Sequence, residues 1–262
     1  MKKLTSIYTY LPAIYFIGSM SILVAIWALV SKITNNEIPN PAATWTVFFE
    51  MLQDPFYDYG PNDKGIGIQL WSSIKRVLMG FGLGSLVAIP IGMLMGSSKI
   101  GMKLLNPLVQ VLRPVSPLAW FPLGLLAFKA AEGATVFIIM ITSLWPTLIN
   151  TAFGVSTIPQ DHKNVGKAFG FSKWKYIAKI LIPYAIPHII TGLRLSIGVA
   201  WMVIVAGEML SGGVGIGFFV WDSWNGLSLE KILSAILIIG FVGLILDKLF
   251  NALQNWVSYE HK

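Results

Sequence analysis

Cysteine is absent from the 262 residues, which excludes disulfides, thioether haem attachment and thiolate metal sites and leaves the redox compartment unread. Charge is scarce as well. Asp, Glu, Lys and Arg make up 12% of the chain, about half of the ~25% usual for a soluble domain. The three histidines, His162, His188 and His261, lie far apart in sequence and argue against a His-based metal site. There is no phosphate-binding G-x4-G-K-[ST] loop, since Gly96-Ser97-Ser98-Lys99 lacks the frame; if ATP drives this chain, another subunit binds it. Paired carboxylates inside apolar stretches, as a proton relay needs, are missing. So are an inverted repeat of broken spans and a nucleophile–base arrangement, which speaks against a proton-coupled carrier and a membrane enzyme. What is plentiful is apolar: 55% hydrophobic residues, ten Trp and fifteen Phe, with a mean hydropathy of +0.69. This is the composition of an all-α polytopic membrane protein. The net charge of +7 needs no nucleic acid, because basic cytoplasmic loops produce the same balance.

Six spans are expected in one membrane domain over 1–262. The first, 12–30, follows Lys2 and Lys3 and is too long for a signal-peptide core. Residues 32–70 form an outer loop rich in Asp, Glu and Pro, with one short helix over 43–52. An interfacial helix over 65–76 enters the second span, 77–96, whose Gly80, Gly84, Gly92 and Gly96 allow close helix packing. The third apolar run, 104–128, is interrupted by Arg113-Pro114-Val115-Ser116-Pro117 and by Pro122. Proline frees backbone carbonyls that lipid cannot satisfy, so a broken span of this kind faces protein or water. Spans over 134–151, 189–210 and 233–253 complete the set, with a Gly-rich outer loop (Gly212, Gly213, Gly215, Gly217) between the last two. With both termini inside, ten basic residues fall on the cytoplasmic side against six outside, the asymmetry that orients such proteins.

One stretch departs from this apolar pattern. Residues 161–183 hold Lys163, Lys167, Lys173, Lys175 and Lys179 within a cytoplasmic loop of about 156–188. Asp161 to Phe169 is expected to form a short helix ended by Gly170 in a left-handed cap. Ser172 caps a second helix over 173–182, terminated by Pro183. Trp174, Ile177, Ala178 and Leu181 share its apolar face. Physics alone leaves two uses open, docking of a soluble partner or lying on anionic lipid.

Gly170, nine residues, Ile180, one residue, Ile182 and Pro183 resemble the EAA loop of ABC-importer permeases, EAA-x3-G-x9-I-x-L-P. Asn164-Val165-Gly166 stands where that pattern has Glu-Ala-Ala, and Ile182 where it has Leu. Residues 54–67, 112–122, 141–151 and 207–219 are similar, in order, to the nitrate/nitrite/bicarbonate branch, kin to sulfonate and taurine permeases. The resemblance implies a type I importer permease fold and a homodimer. It also implies an extracytoplasmic binding protein, and ATPase subunits that bind ATP and Mg and dock on Asn164, Val165, Gly166, Ala168, Phe169, Gly170, Ser172, Lys173 and Trp174. No cofactor in this chain itself is implied. The setting would be the inner membrane of a bacterium or cyanobacterium, and the cargo nitrate or nitrite, with bicarbonate, cyanate or sulfonate as alternatives. A stand-alone secondary carrier is the competing class.

Ionisable groups at membrane depth are functional candidates because their burial is costly. Arg113 beside the broken backbone can offer charge to an oxyanion, or it is a cytoplasm-proximal arginine that neutralises Glu208 or orients the span. Ser116, Trp120 and Trp145 are candidate pathway residues. Glu208 would repel an anion and suits a gating or structural role; Arg194, Asp247 and Lys248 are further candidates, of which Arg194, near the cytoplasmic start of the fifth span, reads as an interface anchor.

Overall fold

The computed structural model describes residues 2–61 and 63–257, so the tail beyond, with Lys262 and His261, lies outside the described residues. Long α-helices α1 (Lys2–Ile33), α3 (Ile66–Ser97), α6 (Ala131–Ser156), α9 (Ile182–Ser211) and α11 (Leu229–Val257) supply five membrane-length segments. A sixth results if the pair α4 (Lys99–Leu112) and α5 (Phe121–Phe128), joined by a 3-10 turn over Pro117–Trp120 and bent by 94°, counts as one broken span. The expected break after Arg113 is therefore present, and the prolines sit in it. Helix α2 (Pro41–Gln53) starts on Asn40, whose side chain accepts from the Ala43 N–H at 2.9 Å, with Pro41 in the first turn. Among the described residues the only extended pairing is the isolated bridge Asp58–Lys64. There the Lys64 ammonium hydrogen-bonds Asp58 and holds its carboxyl below the usual range.

The separate interfacial helix expected over 65–76 is not there. Residues 66–97 form one helix, because nothing between them breaks it and the polar Gln69 and Ser73 are buried partners of a network rather than interfacial groups. Down this helix Gly80, Gly84, Gly92 and Gly96 meet α6 closely. A Cβ at Gly84 would lie 2.6 Å from the Met140 carbonyl, and one at Gly96 would fall on that of Ala152. The small residues are packing sites, as their spacing indicated.

Helix α6 is held to α9 by a hydroxyl. Pro146 removes a backbone donor from α6. One position on, the Ser196 hydroxyl from α9 donates to the Ser143 carbonyl and accepts from the Thr147 N–H at 3.1 Å. Side-chain insertion of this kind repairs a helix at a proline. Ser196→Ala would leave a buried N–H and a buried C=O without that partner. We expect it to cost roughly 1–3 kcal/mol, read as a lower unfolding temperature of the detergent-solubilised chain, with no change for the exposed Ser19→Ala.

The insert holds the larger departure. Helix α7 (Gln160–Ala168) ends on Gly170 at φ +61°, where the Phe171 N–H reaches the Gly166 carbonyl at 2.9 Å and the Gly170 N–H the Lys167 carbonyl at 3.0 Å, a Schellman cap. Ser172 then caps α8 (Lys173–Tyr176). Pro183 does not terminate the second helix. The chain widens into a π-turn over Ile177–Leu181, with the Ile182 N–H reaching back five residues to the Ile177 carbonyl. A wider turn makes room for a ring that would otherwise collide with the preceding one. Residues Lys173–Ser211 thus run as one 39-residue rod from the insert through the fifth span.

Candidate functional site

At the insert end, α7 and α8 cross at Gly166, where a Cβ would stand 2.9 Å from the Tyr176 ring. Only the smallest residue fits there. Around this crossing Val165, Phe169 and Trp174 are exposed, Trp174 by 81%, and Asn164, Ala168, Gly170, Ser172 and Lys173 lie exposed with them. Asn164 is held on its own helix, its carbonyl accepting from Gln160 at 3.3 Å. Lys175 sits 4.5 Å over the Phe171 ring. The residues of the expected docking surface are therefore together, as an exposed apolar patch ringed by lysines. Leu181, expected on the same face as Trp174, is instead buried under the insert with Val155 and Ala185.

The opposite end carries a buried polar network. Glu208 is fully buried. Its two carboxylate oxygens accept from Ser73 Oγ at 2.9 and 2.8 Å, from Arg76 Nη1 at 2.8 Å and from the Gly217 N–H at 3.0 Å. Arg76 also donates to the Val214 carbonyl, Gln69 accepts from the Gly215 N–H, and Ser73 accepts from the Ile216 N–H. Among the described residues no fully buried side-chain polar atom of this network lacks a hydrogen-bond partner, which is the condition under which a buried charge is tolerable. The network fastens the glycine loop 212–217 and the start of α10 (Ile216–Asn225) onto α3. A Cβ at Gly215 would fall on Glu208 Cδ, so the carboxylate occupies the space that glycine leaves. Glu208 is thus structural, and its cation is Arg76. The alternative in which Arg113 neutralises it is overturned.

This leaves Arg113. Of the chain's three arginines, Arg76 holds Glu208 and reaches Glu132 at 3.7 Å, and Arg194 makes a bidentate pair with Asp247 and a bond to Asn251. Arg113 has no carboxylate partner among the described residues. It lines a cavity of about 610 Å³ between α4 and the ends of α3 and α6, together with Asn106, Gln110 and Ser156 and apolar residues including Met102 and Phe153. Among the described residues no acidic side chain lines it.

The other candidates are not gathered there. Ser116 is exposed in the bend. Trp120 packs beside Phe121, Ala134 and Ile138, and its indole N–H is buried without a hydrogen-bond partner. Trp145 packs on the cluster of Ala88, Val109 and Leu148, and Glu208 lies at the far end. Arg76 was missed because it follows Lys75 near a span end, where basic residues are ordinary anchors. Asn106 and Gln110 were missed too, although a signal was present. Lys99, Lys103, Asn106, Gln110 and Arg113 recur at spacings of four and three, one stripe along α4. Met102, Leu105 and Val109 form its packing face, and Ile100, Leu104, Leu108 and Val111 an exposed apolar ridge.

Comparison with known proteins agrees with this geometry. Residues 88–259 match the family model of the binding-protein-dependent transport system inner membrane component. The nitrate import permease protein NrtB of Synechocystis sp. is 42% identical over 239 residues, 91% of this chain and 87% of that one. The bicarbonate transport system permease protein CmpB of Synechocystis sp. is 43% identical over 251 residues, 95% and 89% of the two chains. Among solved structures, the MetNI methionine ABC transporter in an inward-facing conformation has a TM-score of 0.64 at 13% identity, covering 72% of this chain and 94% of that one. A bacterial importer of the polysaccharide alginate has a TM-score of 0.58 at 15% identity, covering 97% and 99%. The fold is that of type I importer permeases. The chain belongs to the binding-protein-dependent transport system inner membrane components, multi-pass transport subunits rather than enzymes, which work with ATPase and substrate-binding subunits.

Proposed function

We propose that this chain forms the transmembrane path of an ATP-driven importer for a small inorganic anion, nitrate or nitrite first and bicarbonate second. The observation that carries the reading is Arg113. Among the described residues it is a guanidinium without a carboxylate partner at a broken span, lining a cavity with amides, a hydroxyl and no acid. Arg113 is exposed beside the ends of α3 and α6, where an unpaired guanidinium raises the local concentration of a mobile anion. The names of NrtB and CmpB support the substrate class, and their near-equal identity keeps bicarbonate in view. Cyanate and sulfonate are more distant alternatives.

In this reading two copies pair across the membrane of a bacterium or cyanobacterium, with both termini and the insert in the cytoplasm. ATP and Mg are held by the partner ATPases, which dock on the exposed patch of Val165, Phe169 and Trp174. Their closure pushes the insert, and the rod of residues 173–211 carries that motion through the bilayer. An extracytoplasmic binding protein delivers the anion at the Glu208 end.

The test is uptake of labelled nitrate and bicarbonate by the reconstituted complex. Arg113→Gln removes a charge-assisted contact of about 1.5–3 kcal/mol, so uptake is expected to fall by roughly 10- to 100-fold. Uptake at the original rate would remove Arg113 from the path. Affinities of the binding protein for the two anions decide which is carried.

A further inference from the structure

We propose that Asn106, Gln110 and Arg113, at positions i, i+4 and i+7 of α4, form with Ser156 a coordinating site for a small monovalent oxyanion in transit. The inference rests on Arg113 belonging to the anion's route and adds the ligand shell around it. The three α4 side chains fall on one face by helix geometry, line the same cavity, and face Ser156 across it.

The donor chemistry matches the ligand. A guanidinium offers five N–H donors and each amide two, for an ion whose oxygens only accept. The Ser156 hydroxyl, which here donates to the Phe153 carbonyl at 2.9 Å, adds a donor only by turning toward the ion. The amide oxygens add acceptors, so an anion that carries one O–H is satisfied too. The remaining walls, Met95, Met102 and others, are apolar. Such walls penalise a divalent ion far more than a monovalent one, because the desolvation cost rises with the square of the charge. At about 610 Å³ the cavity is much larger than the ion, so the ion keeps part of its water and is held weakly enough to leave. Lys99 and Lys103 extend the same stripe toward the insert end of the bundle, which grades the potential along the helix without a deep trap. An ordinary interfacial helix would set its lysines on headgroup phosphates, but it has no need of amides and an arginine around a cavity.

The absence of cysteine gives a direct test on the assembled complex in proteoliposomes. In Gln110→Cys, an anionic methanethiosulfonate is expected to react about tenfold faster than a cationic one, each normalised to a free thiol, because a positive cavity concentrates anions. Nitrate should slow the reaction and sulfate should not. Leu108→Cys, on the apolar ridge, should show neither effect. Adding Arg113→Gln to Gln110→Cys should abolish the charge preference. Equal rates for the two reagents, no protection by nitrate, or a preference that survives Arg113→Gln would each overturn the site. In the last case Lys99 and Lys103 alone make the field. If uptake still depends on Arg113 while Gln110→Cys shows no charge preference, the transport reading stands and the ligand shell does not.

Discussion

Arg76→Leu is expected to destabilise the folded chain by about 3–5 kcal/mol, the usual consequence of stranding one member of a buried ion pair. Glu208 has no exposed surface, and Arg76 is its cation. Without the guanidinium, the carboxylate keeps Ser73 and the Gly217 N–H but loses its counter-charge, and the Val214 carbonyl loses its donor. The measurement is thermal unfolding in detergent, together with the yield of membrane-inserted chain. A sharper form of the prediction uses the exchange of partners. Arg76→Glu with Glu208→Arg restores opposite charges, yet no recovery is expected, because position 208 is surrounded by donors. The Ser73 hydroxyl and the Gly217 N–H would then face a group that has only donors of its own. Recovery by the exchange would mean that the pair acts by charge alone and that the hydrogen-bonded network is incidental.

The second large effect is expected at Gly170, on function rather than on folding. Its φ of +61° is left-handed, and nothing lies within 4 Å of the position a Cβ would take. Any penalty is therefore conformational, about 1–2 kcal/mol for an ordinary residue and less for Asn. The exposed cap can refold locally to escape that penalty, which reorients α7 against α8 and displaces Val165 and Phe169 from the exposed patch proposed to dock the ATPase. Gly170→Val is expected to insert normally and lose ATP-driven uptake by about tenfold, since a shift of about 1.4 kcal/mol in the docked geometry suffices. Gly170→Asn should retain most of it. ATPase activity and uptake measured on the same proteoliposomes separate uncoupling from loss of assembly. If Gly170→Val transports as well as the parent, the cap does not set the coupling geometry.

The contrast between these sites marks what was legible in the amino-acid order. Membrane-length runs, the proline break after Arg113, the glycines of α3 and the Gly170 cap are all local signals, and each appears where it was expected. The Glu208 network could not be read this way, because its members stand 132 and 135 residues apart and Arg76 looks like a span-end anchor. Pro183 misled for another reason. Proline usually ends a helix, but a π-turn upstream absorbed it, and local preference carried no sign that packing of Leu181 and Ala185 would hold the helix together. The α4 stripe was present in the letters, masked by the apolar residues between its members.

The rod of residues 173–211 has a mechanical consequence. At 1.5 Å per residue its 39 residues span about 58 Å. Its far end is pinned, since Glu208 is tied to α3 and to the glycine loop. Between its ends the rod is also tied to α6 through Ser196 and to α11 through Arg194, so a rotation of the rod carries those helices with it. A tilt of about 5° about the pin moves the loaded end by ~5 Å over that length, close to one helical turn. A force applied at the insert is also felt as torque on the pin, so the insert and the glycine loop 212–217 are linked through a single helix.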